Sequence, residues 1–281
     1  MPPAEPSAGE VTDVRVATMN LWGQRGDWDR RRALLTRGFG ELEPDLVAFQ
    51  EAIVTDRTDQ VRDLLGPGYH VAHQAVREPD GQGVSIASRW PISTVAELDL
   101  HVTARTNDFA CTTLVAEIDA PPGIGRLLFA NHLPSWQLAF EYERERQAVV
   151  AARALEAGVR ERDAHVVVAG DLDADPEAAS VRFWTGRQSL DGTSVCYRDA
   201  WASTHPDRAD SGETFFPANP LVADWDWPFR RIDYVLVRCG QHGGPTLAVR
   251  SCRRLFDRAV DGAWASDHVG VTADLTLPPR R

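Results

Sequence analysis

The sequence predicts an α/β sandwich of four layers: two packed mixed β-sheets with helices on the outside. Three observations point there. Short β-branched or apolar runs outnumber helical patterns along the 281 residues. Two long amphipathic helix patterns alternate with those runs, so helices and strands belong to one layered unit. Many of the middle and late strands are short and hairpin-like, which argues against the competing doubly wound parallel sheet.

Residues 1–10, "MPPAEPSAGE", are Pro/Ala/Glu-rich and read as a disordered lead-in. They lack the basic start and apolar stretch of a signal peptide. A single domain is expected over 11–281, since no internal repeat or Gly/Ser linker divides it. Val14, Val16 and Thr18 alternate in a strand that ends at Asn20. Trp28, Leu35, Phe39 and Leu42 recur at steps of 7, 4 and 3, an amphipathic helix ended by Pro44, with "DRRRALLTR" as its polar face. "PDLVAFQE" is a short apolar strand stopping at Glu51, and a helix over 56–65 is closed by "GPG". "GVSIASRWPI", "CTTLVAEID" and "GRLLFANHL" are strands separated by Gly and Pro. The longest helix is expected at 137–160, with Leu138, Tyr142, Val149, Ala152, Leu155 and Val159 on one stripe. A strand follows at 164–170, and Asp175 is read as the cap of a helix starting near Pro176. "RRIDYVLVR", "TLAVRSCRRLF" and "HVGVTADLTL" supply the last strands.

Composition narrows the function. The chain is 43% apolar and 25% charged, and no apolar run is long enough to span a bilayer. A net charge of −11 weighs against a protein that lives by gripping a nucleic-acid backbone, although a bound divalent cation brings positive charge locally. Cys111, Cys196, Cys239 and Cys252 form no Cys-x-x-Cys pair and read as isolated thiols in a reducing, cytoplasmic compartment. A secreted form with one or two disulfides stays open. The chain is expected to be a monomer.

Strand after strand ends on a residue with chemistry: Asn20, Glu51, His132, Asp171, then Asp267 with His268. One such residue can be a helix cap or the first solvated position. Five such ends in one chain point to a convergent site. Hard divalent ions such as Mg²⁺, or Mn²⁺ in its place, take oxygen ligands and leave room for water and substrate phosphate. Histidines nearby move protons. Zinc-type Cys/His spacing, a Gly-x-x-x-x-Gly-Lys loop and a Gly-x-Ser-x-Gly elbow are all missing from the sequence. Metal-assisted hydrolysis of a phosphate ester is the chemistry left.

The ordered series "TMNLWG", "LVAFQE", "FANHL", "VAGDLDADP", "RRIDYVLV" and "ASDHVGV" resembles the endonuclease/exonuclease/phosphatase superfamily, over nearly the whole chain from Val14 to Leu275. That group includes DNase I-like nucleases, abasic-site endonucleases, neutral sphingomyelinases, inositol polyphosphate 5-phosphatases and deadenylases. The resemblance implies a DNase I-like sandwich and a set of roles. Glu51 is the main metal carboxylate, Asp267 completes the metal shell, and Asn20 sits beside Glu51 against water or a phosphate oxygen. His268 contacts the scissile phosphate as base or proton shuttle, with Asp233 behind its ring fixing the tautomer. His132 binds a phosphate oxygen, and Asp171 positions the attacking water. Alternatives stay open for two of these: Asp233 paired with Arg231 on a surface strand, and His132 as a satisfied core histidine. His70, His73, His101, His165, His205 and His242 are read as structural.

Four weaker candidates accompany them. Glu78 of "REPDGQG" is an expected orienter of His132, and Arg89 of "SRWP" an expected cation at the site rim. Trp225 and Trp227 of "DWDW" are expected to shape a pocket for a small organic phosphate.

The chain departs from the family at Asp173, where the usual Gly-Asp-x-Asn motif has an asparagine whose amide donates to phosphate. An ionised carboxylate only accepts. Three outcomes follow: Asp173 binds a second metal, it stays protonated beside Asp171, or the substrate offers a donor there. The leading expectation is a Mg²⁺-dependent phosphoesterase acting on a small-molecule or lipid-type ester. A DNA or RNA nuclease is the alternative enzyme, and a binding protein retired from catalysis, with Asp173 as the lesion, the alternative from another class.

Overall fold

Val14, Val16 and Ala17 are fully buried on β1 (Asp13–Asn20), the strand that starts the described chain. A computed structural model describes residues 13–278, apart from 163, 208–209, 223–227, 229 and 242. After β1 come α1 (Trp28–Leu42), β2 (Leu46–Ile53), α2 (Gln60–Leu65), β3 (His70–His73), β4 (Gln82–Ser88) and β5 (Ile92–Asp99). Then follow β6 (Thr112–Asp119), β7 (Arg126–Leu133), α3 (Glu141–Arg162), β8 (His165–Asp171), α4 (Ala179–Trp184), β9 (Tyr197–Asp199) and α5 (Ala200–Thr204). The chain closes on β10 (Asp233–Arg238), β11 (Ala248–Leu255) and β12 (Gly270–Thr276).

Among the described residues the strands form two six-stranded sheets, ordered β11-β12-β1-β2-β4-β3 and β5-β6-β7-β8-β10-β9. β1 runs parallel to β2 and β7 parallel to β8, while the other neighbours are antiparallel, so both sheets are mixed. Val16, Leu46 and Ile86 of the first sheet meet Leu114, Phe129 and Val167 of the second in the central core. Leu35 and Phe39 of α1 cover the outer face of the first sheet against Met19 and Phe49. Ala148, Ala152 and Leu155 of α3 cover the second against Leu128, Val166 and Val168. Each large apolar side chain buried this way is worth roughly 1.5–3 kcal/mol against solvent exposure. Helix, sheet, sheet and helix make the expected four layers.

Polar groups also join the sheets. Gln50 Nε2 donates to Asn131 Oδ1 at 2.7 Å, and Asn131 Nδ2 donates to the carbonyls of Phe49 and Ser85 at 2.8 and 2.9 Å. Both side chains are fully buried. Each therefore relies on the other across the inter-sheet core.

The structure moves several expected boundaries. The helix expected over 56–65 starts at Gln60, because the Asp59 carboxylate caps it by accepting from the Arg62 N–H. The long helix starts at Glu141 instead of 137. The buried Arg144 guanidinium claims the carbonyls of Ser135, Gln137 and Leu138, the last two of which a helix from 137 would have used internally. Leu138 and Tyr142 consequently stand in solvent, 53% and 58% exposed, and the core stripe begins at Ala148 and Val149. Asp175 caps nothing with its side chain. α4 starts at Ala179, and its Ser180 N–H is met by Glu141 Oε1 at 2.7 Å.

Arg31 overturns the reading of "DRRRALLTR" as a purely polar face. Its guanidinium is 2% exposed and donates to the carbonyls of Leu21, Gly23, Arg25 and Ala265. Burial pulls its pKa down to about 10. A single cation thus ties the loop after β1 to the segment before β12.

Close packing is most severe at Gly170, where a Cβ would lie 2.1 Å from the carbonyl oxygen of His132 on the neighbouring strand. Gly170→Ala is expected to destabilise the fold by about 3 kcal/mol or more. Gly40→Ala, at a helical site with nothing within 4 Å, is the control and is expected to be neutral or stabilising by up to about 1 kcal/mol. Urea unfolding of both variants checks the contrast, and equal midpoints would refute it.

Candidate active site

Strand polarity gathers the strand-end residues. Asn20 pairs with Gln50 at the shared ends of β1 and β2, and Asp171 ends β8 beside β7. β10 runs antiparallel to β8, so its first residue, Asp233, lies directly opposite Asp171. β12 runs antiparallel to β1, which brings Asp267 and His268, just before its start, to the same edge. A cleft of about 630 Å³ opens there, lined by Glu51, Asp171, Asp173, Asp267, His268 and Arg230 among others.

Local backbone aims these groups. Glu51 sits at a register shift in the β2–β4 ladder with φ +51°, a left-handed conformation unusual for a residue with a side chain. Trp22 and Asp173, also on the cleft, have φ +55° and +50°. Such strain persists where surrounding contacts fix it. The Gly23 N–H donates to the Glu51 carbonyl at 3.0 Å, and the Asp173 N–H donates to Asp171 Oδ1 at 3.1 Å.

Asn20 joins the two sheets' acids. Its Nδ2 donates to Glu51 Oε1 at 3.1 Å and Asp171 Oδ2 at 3.0 Å, and its Oδ1 accepts from the Trp22 N–H. His268 stands between two carboxylates, with Nδ1 3.0 Å from Asp233 Oδ2 and Nε2 3.6 Å from Asp171 Oδ2. Burial disfavours the imidazolium, but Asp233 and Asp171 outweigh it and hold the pKa well above the ordinary histidine value. Burial, then repulsion from Asp173, raises Asp171 well above the usual carboxylate range. Burial likewise lifts Asp173 and Asp267 to about 6, opposed chiefly by Arg230 and His268 respectively.

Two open alternatives are decided by contacts. Arg231 pairs with Asp199 at 2.8 Å and lies over the Tyr234 ring, leaving Asp233 to His268. His132 is 1% exposed and not among the cleft-lining residues. Its Nδ1 lies 2.7 Å from Thr113 Oγ1, and desolvation lowers its pKa to about 3, so the ring is neutral.

The weaker candidates fare unevenly. Glu78 lines the cleft, but its carboxylate accepts from the Ala110 N–H at 2.6 Å, and Thr113 is what meets the His132 ring. Arg89 is not at the rim. It follows β4 at the end where Ser88 pairs with Leu46, away from Glu51, and its guanidinium meets Tyr69 and Glu43. Trp225 and Trp227 lie outside the described residues. Among the described residues, Trp22, Phe109, Trp136 and Phe215 supply aromatic lining.

Three further residues matter that the sequence did not single out. Arg25 donates to Glu51 Oε2 at 2.9 Å and to Gln82 Oε1 at 3.2 Å. Thr214 Oγ1 accepts from the N–H groups of Ile232 and Asp233 at 3.1 Å each, fixing the start of β10. Arg230 donates from Nη1 to the Asp173 carbonyl at 3.4 Å. The only signals for the two arginines were their places beside "NLWG" and "RIDYV".

Among the described residues, Asp171, Asp233 and His268 offer three donor atoms within 4.8 Å of one another. Both ring nitrogens there face carboxylates, and the raised pKa of His268 fills that cluster with a proton. A hard cation fits better at Glu51 and Asp267, which offer only oxygen. Glu51 also pushes the Asp267 pKa upward, the mark of like charges held close. Six carboxylates (Glu51, Glu78, Asp80, Asp171, Asp173 and Asp267) against Arg25, Arg230 and His268 leave the cleft short of positive charge.

A sequence profile described as the Endonuclease/Exonuclease/phosphatase family matches residues 17–268. No curated protein matches the chain. Among solved structures, D. rerio TDP2 complexed with single-strand DNA product is 18% identical with a TM-score of 0.72, covering 94% of this chain and 99% of that one. The human Nocturnin catalytic domain with bound sulfate is 18% identical at TM-score 0.72, covering 95% and 94%. An endonuclease/exonuclease/phosphatase from Bacteroides vulgatus is 20% identical at TM-score 0.71, covering 95% and 100%. At these identities the likeness shows a shared fold.

Proposed function

The chain belongs to the endonuclease/exonuclease/phosphatase family, and from that premise we propose that it is a divalent-metal-dependent phosphoesterase that hydrolyses a small-molecule or lipid-type phosphate ester. The observation that carries this reading is the buried Asp233–His268 pair set directly beside Asp171 at an acid-rich cleft. Glu51 and Asp267, with Asn20 alongside, would hold Mg²⁺ or Mn²⁺. When bound, the cation supplies Lewis-acid charge against a phosphoryl oxygen.

The chain's own groups divide the remaining work. Asp233 fixes the His268 ring through Nδ1 and favours its charged form, so Nε2 carries a proton toward the cleft at neutral pH. That proton can bond a phosphate oxygen or pass to the leaving group. Asp171 takes hydrogen bonds from Asn20 and the Asp173 N–H, which orient its carboxylate to align an attacking water. Its raised pKa suits a base. His132 is neutral and away from the cleft lining, its ring held by Thr113 and its backbone packed against Gly170.

Hydrolysis of bis(p-nitrophenyl) phosphate and of p-nitrophenyl phosphate, with Mg²⁺, Mn²⁺ or EDTA, tests the reading. Turnover that needs the cation is expected, and none on either ester with any metal would overturn it. A second reading, cleavage of nucleic acid, has one observation behind it: Trp136, 43% exposed, lines the cleft, and aromatic side chains are what nucleobases stack on. Plasmid nicking faster than small-ester hydrolysis would favour it.

Metal removal and pH should be linked. Asp267, lifted to about 6, is protonated below that pH, and a neutral carboxyl group is a poor ligand for a cation. Mg²⁺ must therefore compete with a proton at pH 5 and with none at pH 8. The rise in Tm on adding Mg²⁺ is expected to be small at pH 5 and several degrees larger at pH 8. A metal-induced rise that is the same at both values would count against Asp267 as a ligand.

A further inference from the structure

The wall of the cleft formed by the end of β8 presents the carboxylates of Asp171 and Asp173 to a substrate that is itself an anion. As carboxylates these accept hydrogen bonds and donate none. That side of the cleft therefore needs a donor and a cation, and Arg230 is built to be both. Its backbone is fixed by a reciprocal bridge with Phe215, at 3.0 Å in each direction, and its carbonyl also accepts from the Thr214 N–H. Its guanidinium lies 5.7 Å from the Phe215 ring centre and donates to the Asp173 carbonyl. The residue is 4% exposed and lines the cleft.

We propose that Arg230 binds the non-bridging phosphate oxygens of the substrate, and that the Asp173 carboxylate, lining the same cleft, lowers its affinity by repelling the phosphate. The inference rests on the phosphoesterase reading and names the residue that would recognise the ester. A planar guanidinium suits this task because it meets two phosphate oxygens at once, which an ammonium does not. Asp173 brings a negative charge next to the bound phosphate, and only its backbone carbonyl meets the guanidinium. Asn tolerates the left-handed backbone at position 173, so Asp173→Asn removes the repelling charge and adds an amide donor without disturbing the turn.

Isothermal titration of inorganic phosphate into wild type, Arg230→Lys, Arg230→Gln, Asp173→Asn and the Arg230→Gln/Asp173→Asn double variant tests this. Phosphate is expected to bind about 10–100-fold more weakly to Arg230→Gln, and less weakly than that to Arg230→Lys. Asp173→Asn should tighten binding and should recover part of the loss in the double variant. Unchanged phosphate affinity in Arg230→Gln, or weaker binding in Asp173→Asn, would overturn the proposal, as would the absence of phosphate binding by wild type at millimolar concentration. If Arg230→Gln does not fold, the Arg230→Lys and Asp173→Asn titrations decide between the same outcomes. Phosphate binding through Arg230 without ester turnover would defeat the phosphoesterase reading and leave this inference standing. Turnover with affinity indifferent to Arg230 would do the reverse.

Discussion

His268→Ala is expected to lower turnover by about 10²–10⁴-fold. The ring is the group best placed in the cleft to give and take a proton, and both its nitrogens face carboxylates. Asp233→Asn should cost nearly as much, and the double variant little more than either single one, because residues acting as a unit lose their function once. The pH profile separates chemistry from simple packing loss. Asp233 helps hold the His268 pKa high, so the wild-type rate should persist into alkaline pH and fall only where His268 loses its proton. Removing that charge should move the alkaline limb to lower pH. An alkaline limb that stays in place in Asp233→Asn would sink the proton-donor assignment, whatever the rate.

Glu51→Gln is expected to remove both turnover and the Mg²⁺-induced rise in Tm. The swap keeps the shape of the side chain and its oxygen facing Asn20 Nδ2, yet it deletes a full charge from the proposed metal site. Groups that merely support a metal ligand already cost about 10–100-fold in affinity when removed, so a ligand should cost at least that. Arg25, 2.9 Å from the lost charge, is left facing an amide. Fluorescence titration with Mn²⁺ reads the affinity directly. Wild-type metal affinity in Glu51→Gln would place the cation elsewhere, with the Asp171, Asp233 and His268 cluster next in line.

Periodicity made much of the fold legible. β1, β2, β6, β7, β8 and the last three strands stand where alternating or apolar runs place them, and α1 ends before Pro44. What stayed hidden depended on long-range partners. The start of α3 is set by Arg144 reaching back to three carbonyls, and Leu138 therefore falls off the expected stripe. The short β3 and β9 carry too few residues for a pattern. At the site, strand pairing brings Asn20, Glu51, Asp171, Asp233, Asp267 and His268 together, and their places at or beside strand ends were legible in the sequence. Arg230 and Thr214 were not visible, since their importance lies in meeting Asp173 and Asp233 across gaps of 57 and 19 residues. Glu78 and Arg89 had suitable chemistry but other partners.

The order of strands in the first sheet governs when this centre can come into being. β12, from the end of the chain, lies between β11 and β1, and the segment just before it brings Asp267 and His268. A ribosome that has released everything up to Ala265 has supplied Asn20, Glu51, Asp171 and Asp233, but β1 still has a bare edge. A chain emerging in order therefore lacks Asp267 and His268 of the proposed site until the segment before β12 is available. The pairing that brings those two residues to the cleft also covers the open edge of β1, so the cleft and the sheet are completed together.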